Sequence, residues 1–159
     1  AKMRRGALNT TALEMGCNKI ALGHHYDDVI ETILMGMLYG SQIQSMMPKL
    51  HSTSYPGMEL IRPMYFIREE DIKRWRDGEG LGFIQCACRF TDTCTTCNNG
   101  QSKSKRQETK ELIRELKKKN PAVESCIFNS MENVCLDTVI AYKRKGVTHS
   151  FLDTYNDEK

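Results

Sequence analysis

LGHHYDDVIETILMGMLYG, residues 22–40, joins the end of a short apolar run to the start of an amphipathic one. Lys19, Ile20, Ala21 and Leu22 are too few for a helix and suit a buried strand. Gly23 stops that run. From Asp27 onward Val29, Ile30, Ile33, Leu34, Met37 and Leu38 share one face of a helix ending near Gly40. Asp27 stands where an N-cap belongs, and Asp28 falls in the first turn, where the helix dipole favours a carboxylate. Gly23, His24, His25, Asp27, Asp28, Glu31 and Thr32 therefore crowd the junction of a strand end and a helix start. Open α/β sheets bind ligands at that edge. A cap needs one such residue, so the concentration points to a site.

The chain has 159 residues, enough for one domain with a core, and a formal net charge of +3 that says little by itself. Its distribution says more, because residues 101–119 hold eight Lys or Arg against three Glu. No apolar run is long enough to span a membrane, and no signal-peptide pattern is present. Seven cysteines without a secretory signal imply a reducing cytoplasm, with metal or redox use in place of a disulfide framework.

Outward from residues 22–40, a helix is predicted over 3–15, with Ala7, Leu8, Thr11, Ala12 and Met15 on one face and Gly16 ending it. A helix already under way at the first residue suggests that the chain begins inside a larger protein. Segments 46–50 and 58–62 read as extended, joined by the turn-prone residues 52–57, with Pro48 and Pro63 at strand ends. A short helix over 68–76 is expected to turn Ile72 and Trp75 inward before residues 77–80 break it. Residues 105–119 form a charged helix with a thin stripe of Leu112, Ile113 and Leu116. Asn120 and Pro121 supply the cap and first position of another, its inner face Val123, Ile127, Phe128, Met131 and Val134. After Tyr142 the polar sequence is expected to fray.

Three constellations carry chemistry. Cys86, Cys88, Cys94 and Cys97 lie within twelve residues, close enough to hold zinc or contribute to an iron–sulfur cluster. Cys17, Cys126 and Cys135 read as small core residues. The basic run from Lys103 to Lys119 suits either phosphate contact or a solvated helix face, and its lack of aromatic residues argues against base stacking there. Arg62 ends an extended segment at the sheet edge of His24 and Asp28, placed for phosphate or for a surface ion pair.

The combination LGHHYDDVIET (22–32), MLYG (37–40), PKL (48–50), IRPM (61–64), REEDI (68–72) and a cysteine near Cys86 resembles the PP-loop ATP pyrophosphatases, most nearly the tRNA 2-thiocytidine synthetase branch. The resemblance covers most of residues 1–135 in order. It implies an α/β fold, a partial adenine-nucleotide alpha hydrolase (Rossmann-like) sheet with a helical C-terminal region. The implied division is 1–85 for the nucleotide-binding part, 86–104 for a cysteine-rich loop, 105–145 for C-terminal helices and 146–159 for a flexible tail.

The implied activity is ATP-dependent tRNA thiolation, in which a cytidine is adenylated and then receives sulfur. ATP, Mg²⁺ and a [4Fe-4S] cluster are the implied cofactors, with zinc as the alternative. The implied partners are tRNA and a sulfur donor protein or sulfide. No membrane is implied, and a homodimer is compatible. On this resemblance Asp28 and Asp27 are catalytic, with Asp28 holding Mg²⁺. Gly23, His24, His25 and Arg62 bind nucleotide. Cys86, or alternatively Cys88, ligates the cluster, and Arg4, Arg5, Lys103, Lys105 and Arg106 meet tRNA. The family's Ser-Gly-Gly-Lys-Asp-Ser phosphate loop and upstream C-x2-C pair do not occur in these residues, so the chain is expected to be an incomplete part of such an enzyme, inactive alone. Lysidine formation, which needs no cluster, and a non-catalytic zinc-bearing RNA-binding module are the competing readings.

Overall fold

The computed structural model describes residues 2–82 and 105–155, with side chains from residue 6 onward. Helix α1 (Lys2–Glu14) leads to strand β1 (Lys19–Ala21) and helix α2 (Tyr26–Gly40). Strands β2 (Lys49–His51) and β3 (Glu59–Ile61) follow, then helix α3 (Glu69–Gly78). Helices α4 (Lys105–Lys119) and α5 (Val123–Asn129) precede a hairpin of β4 (Ala141–Arg144) and β5 (Val147–Ser150).

The first three strands form one sheet in the order β1-β3-β2. β1 runs parallel to β3, with Ala21 opposite Ile61, and β2 runs antiparallel to β3, with Leu50 opposite Leu60. A parallel pair needs a crossover, and α2 lies within that connection. The mixed α/β architecture agrees with the sequence reading.

Periodicity places α2 correctly. Val29, Ile30 and Ile33 are each 1% exposed and pack with Tyr65, Ile113 and Phe128 into the core. The helix closes where Ser41 adopts φ 51° and the Gln42 N–H donates to the Gly36 carbonyl at 3.0 Å. A Cβ on Gly36 would come within 2.9 Å of the Gln42 carbonyl oxygen, so only glycine fits this closure unstrained.

Several expectations are corrected. β1 is a sheet edge with one neighbour among the described residues, and it is largely exposed. In α1 the buried position is Asn9, while Leu8 and Met15 stay exposed. Met37 and Leu38, on the last turn of α2, are about half exposed. Trp75 is 58% exposed because α3 meets its neighbours through the charged residues of its first turn. α5 begins after Ala122, whose N–H is accepted by the Asn120 side chain, and it stops at Asn129, short of carrying Val134 inward. Cys17, Cys126 and Cys135 are all exposed. Cys126 sits two residues from buried Phe128 and so falls on the opposite side of the helix. The expected fraying after Tyr142 is replaced by the β4–β5 hairpin, closed by Lys145 and Gly146 at φ 51° and 83°. Two successive positive φ values make the type I′ turn that matches strand twist.

No helix among the described residues is long and apolar enough to cross a membrane. Ile30→Ala should lower unfolding free energy by roughly 2–5 kcal/mol in urea titration, because the site cannot fully collapse. Met37→Ala should change it by no more than about 0.5 kcal/mol.

Candidate functional site

Parallel pairing fixes the site's location. The C-terminal ends of β1 and β3 lie side by side, and the Leu22 N–H donates to the Ile61 carbonyl at 2.9 Å. The Gly23–Asp28 turn and Arg62 thus leave the same sheet edge, as the sequence predicts. The Arg62 backbone N–H donates to the Pro48 carbonyl at 2.8 Å, and its guanidinium donates to the Met47 carbonyl. These bonds hold Arg62 against the segment that leads into β2.

The start of α2 differs from expectation. His25 is the N-cap, and its backbone N–H donates to Asp28 Oδ2 at 3.1 Å. Asp27 does not cap its own helix because another helix uses it. Its Oδ2 accepts the Glu69 N–H at 2.7 Å, at the first residue of α3, and its Oδ1 pairs with Arg68 at 3.1 Å. The His25 imidazole lies between the two carboxylates, at 3.7 Å from Asp27 and 3.4 Å from Asp28.

Asp28 and Glu31 share one cation from α4. Arg106 donates from Nη2 to Asp28 Oδ1 at 2.9 Å and from Nε to Glu31 Oε2 at 2.7 Å. Lys110 approaches Glu31 at 3.5 Å and Glu69 at 3.6 Å. Glu31 is 2% exposed on the core side of α2, so these cations are what make its ionised form tolerable. Beside them Arg68 bridges Asp27 and Glu124, and Lys117 pairs with Glu124 at 2.7 Å. Burial alone would raise the Glu124 carboxyl, but hydrogen bonds from Lys117 and Arg68 hold it below its ordinary value. A polar cleft of about 190 Å³ opens over these groups.

His24 is half-buried, and its Nδ1 has no hydrogen-bond partner among the described residues. Burial, followed by the nearby Arg62 guanidinium, lowers its pKa, with Asp28 opposing. Gly23 is not sterically required, since a Cβ there would meet only Met64 at 3.5 Å.

The structure therefore brings together Gly23, His24, His25, Asp27, Asp28 and Arg62. Lys105 lies apart, pairing with Glu108 at 3.1 Å and covering the Tyr39 ring at 4.8 Å. Cys86, Cys88, Cys94, Cys97 and Lys103 lie outside the described residues, as do the side chains of Arg4 and Arg5. Among the described residues no three His, Cys, Asp or Glu side chains converge as a metal site. Glu31 belongs to the cluster the sequence marks, whereas Arg68, Lys110 and Glu124 were missed as its partners. The signal was spacing: Asp28 and Glu31 are three apart on one side of α2, and Arg106 and Lys110 are four apart on one side of α4.

Comparison with known proteins adds an independent line. A PP-loop domain family model matches residues 1–91. A tRNA-cytidine(32) 2-sulfurtransferase from Klebsiella pneumoniae subsp. pneumoniae is 36% identical over 152 residues, covering 94% of this chain and 46% of that protein. One from Verminephrobacter eiseniae is 37% identical over 134 residues, covering 84% and 39%. The chain thus spans about half the length, or less, of these curated relatives. Among solved structures, the U34-tRNA thiolase NcsA from Methanococcus maripaludis with its [4Fe-4S] cluster superposes with a TM-score of 0.60. It is 22% identical and covers 82% of this chain and 40% of that one, a likeness of fold.

Two measurements check this geometry. Arg106→Ala should destabilise by about 2–3 kcal/mol in denaturant titration, at or just below the usual cost of orphaning a buried charge because Lys110 remains. Arg106→Ala combined with Glu31→Gln should recover part of that loss. His24 binds its proton more weakly folded than unfolded, so its stabilising contribution is present above the reference value of 6.5. It is lost as pH falls through the lowered folded pKa. His24→Gln should therefore flatten the fall in melting temperature between about pH 7.5 and pH 5.5, a window spanning the free-histidine pKa.

Proposed function

The chain belongs to the PP-loop domain family, and on that premise we propose that it takes part in ATP-dependent thiolation of a tRNA cytidine in the cytoplasm. The observation that carries this reading is the gathering of His24, His25, Asp28 and Arg62 at one edge of a parallel strand pair, in a chain 36% identical to a tRNA-cytidine 2-sulfurtransferase. That edge is where α/β sheets receive nucleotides.

The roles follow from the contacts. Arg62, pinned at the end of β3, presents positive charge to phosphate as pyrophosphate leaves. His24, kept neutral by burial and by Arg62, lines the adenosine side of the turn with Gly23 and His25. Its neutral ring offers both a donor and an acceptor to a nucleoside.

Asp28 is the carboxylate proposed to hold Mg²⁺. Asp27, Asp28 and Glu31 each already have a cation, so the fit is to one protein ligand, with phosphates and water supplying the rest, a common arrangement for this ion. When bound, Mg²⁺ would neutralise phosphate charge. Arg106 can release Asp28 through Nη2 while Nε stays on Glu31, because the two bonds use separate nitrogens. Asp27 positions α3 through the Glu69 N–H, and on this reading its effect on catalysis is indirect.

A thiolate of the Cys86, Cys88, Cys94 and Cys97 stretch is proposed as a ligand of an iron–sulfur cluster, with Cys86 the first candidate. The cluster would supply a site for sulfur. Arg4, Arg5, Lys103 and Lys105 are proposed to meet tRNA phosphates; Arg106, expected with them from the sequence, instead has its guanidinium on Asp28 and Glu31.

The test uses the complete gene product carrying this chain, expressed in cells lacking their own 2-thiocytidine enzyme. Asp28→Asn should abolish 2-thiocytidine in digested tRNA, read by mass spectrometry, while the purified variant melts within a few degrees of the parent. Undiminished 2-thiocytidine would refute the role of Asp28. Cys86→Ser should remove both 2-thiocytidine and the iron–sulfur absorbance. If zinc is found and no iron after anaerobic preparation, the cluster reading fails.

A further inference from the structure

The β4–β5 hairpin and the turn after it take no part in the site above. From their geometry we propose that they form a second RNA-binding surface, which stacks an unpaired base in an aromatic groove and holds the adjoining phosphates at its basic tip. This proposal rests on the RNA-substrate reading.

Alternation sorts the hairpin into two faces. Tyr142 pairs across the strands with His149, and Arg144 with Val147, so all four lie on one face. The Tyr142 and His149 rings are stacked, with centroids 4.9 Å apart and planes 18° from parallel. A groove of about 540 Å³ opens beside this stack. Its volume falls in the range of roughly 300–1,000 Å³ that small-molecule sites occupy. Phe151 and Tyr155 form its wall, with ring centroids 6.3 Å apart, and remain 50% and 69% exposed. A two-stranded ribbon alone is marginally stable, and the Phe151 and Tyr155 rings stay open to solvent beside the half-buried Tyr142–His149 stack.

Charge decides the occupant. Residues 139–150 contain Lys143, Arg144 and Lys145, consecutive at the tip, and no acid. Asp137 and Asp153 line the groove, and Asp153 also accepts the Ser150 N–H at 2.8 Å. Carboxylates inside repel a phosphate and accept hydrogen bonds from the amino group of a base. Arg144 lies on the ring face, two pairs nearer the tip than Tyr142. A base inside and phosphates at the tip is the arrangement of single-stranded RNA, whose bases are free to leave the helix. A duplex keeps its bases stacked and cannot enter.

The experiment measures fluorescence anisotropy of the full chain with a short fluorescein-labelled single-stranded RNA and with a duplex of the same sequence. The single strand should bind more tightly. Phe151→Ala and Tyr155→Ala, which lie outside the strand ladder and leave its hydrogen bonds in place, should each weaken binding about tenfold, the scale of one lost base–aromatic stack. Tyr155→Phe should retain it. Replacing Lys143, Arg144 and Lys145 together by Gln should lower the log–log salt slope by about 2, at roughly 0.7 per phosphate contact on a single strand. Equal binding of duplex, unchanged affinity in both alanine variants, or an unchanged salt slope would overturn the proposal. Asp28→Asn should bind the single strand like the parent, so loss of thiolation there tests the catalytic reading separately from this surface.

Discussion

A buried carboxylate sets the terms of this structure. Glu31 lies between Ile30 and Ile33 on α2, at 2% exposure, where an unpaired charge would cost several kcal/mol. It is tolerated because α4 brings Arg106 to 2.7 Å and Lys110 to 3.5 Å. The apolar contacts of Ile113 and Phe128 draw α4 and α5 onto α2, but hydrophobic contact is not directional. The ion pairs favour this register, in which a single guanidinium, that of Arg106, meets both Asp28 and Glu31.

That register carries to the sheet edge where His24 and Arg62 lie. Arg106 reaches Asp28 with the nitrogen that Glu31 does not use, and Asp27 fixes the first turn of α3. Carboxylates from two turns of one helix thus organise three others, while their neighbours His24 and Arg62 stay at the strand ends. The basic helix that composition marks as a candidate RNA surface has an inner side committed to protein. The charge available to a polyanion is what remains on its outer side.

Much of this was legible in the sequence because it is local. The helical spacing of α2, the extended segments on either side of residues 52–57 and the shared edge of Asp28 and Arg62 all follow from periodicity and parallel pairing. What was not legible depends on partners distant in the chain. Asp27 is a good N-cap by type, yet it is taken by the Glu69 N–H forty-two residues away. Trp75 reads as inward by hydrophobicity, but α3 docks through salt bridges and leaves it in solvent. The C-terminal hairpin was hidden because Lys145-Gly146 is an unusual type I′ pair, its first residue bearing a side chain in the left-handed region.

The fate of ATP distinguishes adenylation from every other route to the thiolated base. Incubating the complete gene product with tRNA, sulfide and α-phosphate-labelled ATP, and resolving the products, separates the alternatives in one measurement. Labelled AMP, accumulating with one pyrophosphate per cytidine thiolated, is the predicted result. Labelled ADP, or thiolation without nucleotide cleavage, would contradict it.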